Sequence, residues 1–216
     1  MAQLPDYVSV IATSLLQPIV ALIEALESMP ATPPNEVQTG SRENGYACSI
    51  VVLSVIALEA IANRVRFLNG HNPKDERNMP KYLSKIIAEP GLAEMQAVMS
   101  VRDAIVHNHL WTAKVRSNQK GDLVFDAEPI LSRDEYGDNK FWDVMDPSTR
   151  QTRSLQINLF PARIWRADAY KVLRVVIGAM KSLQAVDNRY VNIDIQIVEY
   201  REQVMTIDEV LQDLLS

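Results

Sequence analysis

Two of the three histidines in the chain stand beside an Arg-Asp pair, in the stretch Val101-Arg102-Asp103-Ala104-Ile105-Val106-His107-Asn108-His109-Leu110-Trp111. A guanidinium is shaped to hold a phosphate through two parallel N–H bonds. Asp103 and His107 are four residues apart, so on a helix they are neighbours and can hydrogen-bond. A carboxylate on an imidazole nitrogen fixes the tautomer and raises the basicity of the ring. An arginine, an oriented histidine and no metal-ligand set suit proton transfer beside a phosphodiester. On spacing alone, a helix-end histidine and a surface arginine remain the commoner reading.

The stretch closes a helical pattern expected from Leu92 to about His109. With Arg102 at zero and ~100° per residue, Val106, Asp103 and His107 fall at roughly 40°, 100° and 140°. Met95, Met99 and Leu110 share that side, whereas Val98, Val101 and Ile105 form a second stripe. The first stripe needs a cover of its own, and a second copy of the chain is the expected one, giving a homodimer through the Leu92 to Leu110 helix. Arg102 and His107 are too far apart around the helix to touch. His109 lies within ~20° of Arg102 and is a supporting candidate, although a simple helix-end residue is the commoner reading. His107 and His109 point ~160° apart, and no cysteine or third histidine completes a set, so no metal is expected.

Other elements must position this helix. Apolar spacing predicts a helix from Asp6 to Met29 with a kink at Pro18. A second helix, from about Ser41 to Leu68, is apolar nearly all round between Ala47 and Ala62 and should be the central one. Glu59 near its end is expensive unless paired. It is either a core carboxylate satisfied by an arginine or a cleft residue pairing with Arg102. Asn78 should cap a short helix with Pro80 at its first position. Trp111 to Ser117 and Asp122 to Ala127 alternate and read as a hairpin, and Leu155 to Leu159 as a further strand. Residues 111 to 160 are therefore expected as a β-rich insertion. Ala162 to Val186 reads as a helix, Val191 to Ile197 as a strand, and Thr206 as the cap of a C-terminal helix within 187 to 216. Arg163, Arg166, Arg174 and Lys181 share a stripe ~80° wide that could track an RNA backbone, although a solvated basic face is commoner.

The 216 residues are 47% hydrophobic and 23% charged, which is globular. A net charge of -5 argues against a general nucleic-acid coater. Cys48 is the only cysteine, which excludes an internal disulfide and fits a reducing cytosol; it reads as a small apolar filler. No signal-peptide order is visible, and the apolar run from Tyr46 to Ala62 is interrupted by Ser49, Ser54 and Glu59, so a cytoplasmic protein without a membrane span is expected. Trp111, Trp142 and Trp165 read as packing residues.

Arg102-Asp-Ala-Ile-Val-His107 near the end of an apolar helix resembles the Arg-x4-His motif of the HEPN superfamily. The preceding apolar helix ending in Leu58-Glu59-Ala60 resembles its partner helix in that family. The resemblance covers the first half of the chain and the Ala162 to Val186 helix. It implies a mainly α HEPN-like bundle, one domain over residues 1 to 216, that dimerises through the motif helices. It implies a metal-independent endoribonuclease in which the RNA 2′-hydroxyl attacks the adjacent phosphate, without a cofactor. Arg102 would hold the phosphate and His107 would be general acid or base, in a cleft shared by two copies. A toxin or defence effector is then expected, with an antitoxin or regulatory protein as a further partner. Where the family often has asparagine after the arginine, this chain has Asp103, which could orient His107 but repels phosphate. A non-catalytic HEPN-like dimer binding a protein, RNA or nucleotide is the alternative.

Overall fold

The computed structural model of the chain describes residues 11–31, 43–71, 76–107, 111–117, 123–129 and 140–215. These residues are mainly helical. The N-terminal helix is split into α1 (Ile11–Ser14) and α2 (Leu16–Glu27). The expected kink therefore lies at Leu15, one turn before Pro18. Proline has no N–H to give the Ser14 carbonyl, and its ring crowds that carbonyl.

Helix α3 (Glu43–Leu68) is the centre of the bundle and packs against α1, α2, α4, α5 and α7. It ends where Gly70, at φ +66°, takes the left-handed conformation that lets the His71 N–H reach back to the Arg66 carbonyl at 2.9 Å. Helix α4 (Met79–Leu83) begins on Asn78, whose side-chain oxygen accepts from the Lys81 N–H at 3.0 Å. Helix α5 (Leu92–Val106) starts with the Glu94 carboxylate accepting from the Gly91 N–H at 3.0 Å. It stops at Val106, short of the expected His109, after the β-branched Ile105 and Val106 and before a run of weak helix formers.

Strands β1 (Trp111–Ser117) and β2 (Leu123–Pro129) form the expected hairpin, in register from Trp111 opposite Pro129 to Ser117 opposite Leu123. A short α6 (Lys140–Val144) follows. The strand expected over Leu155 to Leu159 is absent. Positive φ at Arg150 and Gln156 breaks the extended run into turns with two isolated bridges, Met145 to Thr152 and Gln151 to Asn158. Met145, Ile157 and Leu159 are nevertheless buried in the same core as the helices.

After a 3-10 turn at Pro161–Arg163, α7 (Arg166–Val186) runs along α3. Its helical start is four residues later than the Ala162 expectation. The strand expected over Val191 to Ile197 is also shifted: β3 (Ile197–Tyr200) pairs with β4 (Gln203–Thr206). Residues 191 to 196 turn because the Gln184 side-chain oxygen collects the N–H groups of Ile193 and Asp194. Val191 and Ile193 are buried while Ile195 and Ile197 are exposed, so the apparent alternation spans two environments. The outer edge of β3 is closed by Gln17, whose amide donates to the Glu199 carbonyl (3.0 Å) and accepts from its N–H (2.8 Å). Helix α8 (Ile207–Leu215) carries a capping box: the Glu209 N–H donates to Thr206 Oγ1 at 3.3 Å, and the Thr206 N–H to the Glu209 carboxylate at 2.6 Å.

Candidate functional site

Arg102 sits on α5 where that helix crosses α3. Its Nη2 pairs with Glu59 Oε1 of α3, and its Nη1 with Asp103 Oδ1 at 2.9 Å. The guanidinium thus bridges two helices and holds both nearby carboxylates. The side chains of Arg102, Glu59 and Asp103 are 18%, 34% and 12% exposed, so the cluster is half-desolvated and open on one side. Arg102 Nε is buried with no partner among the described residues. The Glu59 carboxyl is raised above its ordinary range, by burial first; the positive Arg102 opposes this and the negative Asp103 adds to it. One guanidinium thus serves two carboxylates.

His107 does not continue the helix. It is the C-terminal cap of α5 at φ -101° and ψ 74°, is exposed, and closes the last turn with its N–H on the Asp103 carbonyl at 2.8 Å. The ~140° offset from Arg102 assumes continuous helix and therefore does not describe its side chain. His109 lies outside the described residues. Among the described residues, no group of three or more His, Cys, Asp and Glu is arranged to hold a metal ion.

The two-stripe picture of α5 needs correction. Met95 is fully buried within this chain, and Met99 packs partly against the same core. On that face Val106, 52% exposed, and Leu92, 37% exposed, are left open, and Leu110 lies outside the described residues. Exposed apolar side chains lie also on α3, where Ile56 and Phe67 are 42% and 64% exposed, and on the β3–β4 hairpin, where Ile197 and Val204 are 67% and 72% exposed. An apolar groove of about 430 Å³ lined by Leu22, Cys48, Val52, Leu53 and Ile105 adjoins Ile56, since Val52 stands one turn before it. Helix α3 is long and apolar enough to cross a membrane by length and composition, and half of its most apolar window is buried in the fold.

Of the four cations of the expected RNA-tracking stripe, Arg166, Arg174 and Lys181 lie on α7, and two of these are engaged by carboxylates. Arg163 lies in the 3-10 turn with its Nε buried. Arg166 is a clamp: its Nε pairs with buried Glu43 at 3.0 Å, and its Nη2 donates to the Met29 carbonyl at 3.0 Å. Lys181 pairs with Asp208, and Arg174 is exposed. Trp111 packs against Phe160, with ring centroids 5.7 Å apart.

Beside the Arg102 cluster is a cavity of about 380 Å³ between α3, α4, α5 and α6, walled by Glu59, Gln96, Ser100, Asp103 and Asp143, with Arg77 and Lys81 at its rim. The sequence reading missed it, although a signal was present. Gln96, Ser100 and Asp103 are spaced i, i+4, i+7 and so form a polar stripe along one face of α5. No protein-family model, curated protein or solved structure matches the chain.

Proposed function

We propose that the chain is a metal-independent endoribonuclease of the HEPN type, acting as a homodimer whose two Arg102–His107 sets face one cleft. The observation that carries the reading is the placement of Arg102. It is held across two helices by Glu59 and Asp103 and lies five residues before an exposed histidine at the helix end. In this reading His107 of one copy takes the proton of the 2′-hydroxyl as the oxygen attacks phosphorus. The bond from phosphorus to the 5′-oxygen breaks, and His107 of the other copy protonates that leaving oxygen. The products are a 2′,3′-cyclic phosphate and a 5′-hydroxyl. Arg102 stabilises the charge that builds on the phosphoryl oxygens. The half-uncovered α3, with Ile56 and Phe67 exposed, supplies an apolar face for the second copy.

Expression of wild type beside His107→Ala, with total RNA followed on a gel, tests the reading. Degradation by wild type only, persisting in a chelator and abolished on a substrate with 2′-deoxy at the cut, is the expected result. RNA left intact by wild type sinks it. One observation favours a second reading, a non-catalytic nucleotide- or RNA-binding module: both carboxylates already occupy Arg102, and an incoming phosphate must displace one of them. Binding without turnover would select that reading.

A further inference from the structure

We propose that the cavity beside Arg102 is a guanine-reading subsite, with Glu59 as the residue that selects the base; the inference takes its substrate class, RNA, from the reading above. At about 380 Å³ the cavity lies near the lower end of small-molecule sites, roughly 300–1,000 Å³. That suits one nucleotide and is too small for a helix or a folded partner. Met79 and Met99 give it apolar, polarisable walls of the kind that pack against a flat ring.

Its polar lining combines three carboxylates with Asn78, Gln96 and Ser100, which can both donate and accept. Glu59, Asp103 and Asp143 all reach it, and an ionised carboxylate only accepts. Glu59 Oε1 is taken by Arg102, while no protein donor among the described residues reaches Oε2. Of the four RNA bases, guanine alone presents two adjacent donors, N1–H and the N2 amino group, on its Watson–Crick edge, the edge that proteins read in unstacked RNA. Adenine, cytosine and uracil each set an acceptor beside their donor, and that acceptor would face a carboxylate. The exposed Arg77 and Lys81 at the rim meet the phosphates that flank the base. Asp103, which repels phosphate at the cleavage point, thereby contributes to base reading one position away.

The test is calorimetric binding of GMP, AMP, CMP and UMP to the full chain, together with mapping of cut sites in RNA. GMP should bind about tenfold more tightly than the others. Glu59→Gln replaces one acceptor oxygen by a donor NH₂, and should turn the preference toward AMP. A merely structural role for Glu59 would weaken all four nucleotides alike and leave their order unchanged. Should that variant fail to fold, Gln96→Phe, which fills the cavity from its half-buried wall, should abolish GMP binding. Equal binding of the four nucleotides, no binding of any, or RNA cutting without guanine beside the cut overturns the subsite while leaving the nuclease reading intact. Selective GMP binding with RNA left whole sustains the subsite and removes the nuclease reading.

Discussion

Arg102 serves two carboxylates at once through two separate nitrogens held in a planar fork, whereas a lysine offers one nitrogen. Arg102→Lys keeps the charge but makes a single contact, so RNA cleavage should fall by at least about a hundredfold, close to the loss in Arg102→Ala. Near-wild-type cleavage by the lysine variant would show that charge alone matters. Two residues away from the site make sharper tests of environment. Cys48 lies between the Asn44 side chain (3.7 Å) and the Pro161 carbonyl (3.8 Å), and its thiol is pushed up to about 12, chiefly by burial. Alkylation by iodoacetamide at pH 8 should be slow in the native protein and fast in urea; equal rates would contradict the burial.

Asp168 is 1% exposed and its carboxyl is pushed up to about 6, chiefly by desolvation, from an ordinary value of 3.8. The folded chain therefore binds more protons than the unfolded one between those values, and stability falls as pH rises from about 4 to 6. Asp168→Asn removes that slope. The stability of wild type relative to the variant should drop by about 2 kcal/mol between pH 4 and pH 7 in urea titrations. Parallel pH profiles would rule the carboxyl out as the cause.

Among the elements, α3 and α7 are joined at their starts by a charge pair, not by apolar packing alone. Glu43 is 1% exposed and accepts from both the backbone N–H (2.9 Å) and Nε (3.0 Å) of Arg166, whose Nη2 also reaches the end of α2. Removing one partner strands the other in a dry place, which costs more than the pair contributes as a pair. Glu43→Ala should lower unfolding free energy by about 3 kcal/mol, measured by denaturant titration, and a change under about 0.5 kcal/mol would mark the pair as solvated. Arg166 was legible in the sequence as a cation on a helical stripe. Its work as a clamp was not, because the partner carboxylate lies 123 residues away.

For the whole molecule, the exposed Ile56 and Phe67 make the proposed dimer testable. Ile56→Asp together with Phe67→Asp should give a monomer in sedimentation without loss of helicity, and RNA cleavage should fall with dimer content. A wild type that stays monomeric at all concentrations would remove the shared cleft. Helical and hairpin segments were readable in advance because a period of 3.6 or 2 is a local property of the chain. Pro18, Asn78 and Thr206 likewise marked helix breaks and starts through their own backbone and side-chain chemistry. The Arg102, Asp103 and His107 trio was equally visible as residue types and spacing. Which faces are covered was not, since α3 is apolar on nearly every side and periodicity cannot say where neighbours stop. Nor could the alternation over Val191 to Ile197 reveal that Gln184 would turn the backbone there. Packing α5 on α3 set Glu59 against Arg102, buried Met95, and opened the cavity beside α4 and α6. Those outcomes depend on contacts between residues far apart in sequence, and such contacts exist only once the chain has folded.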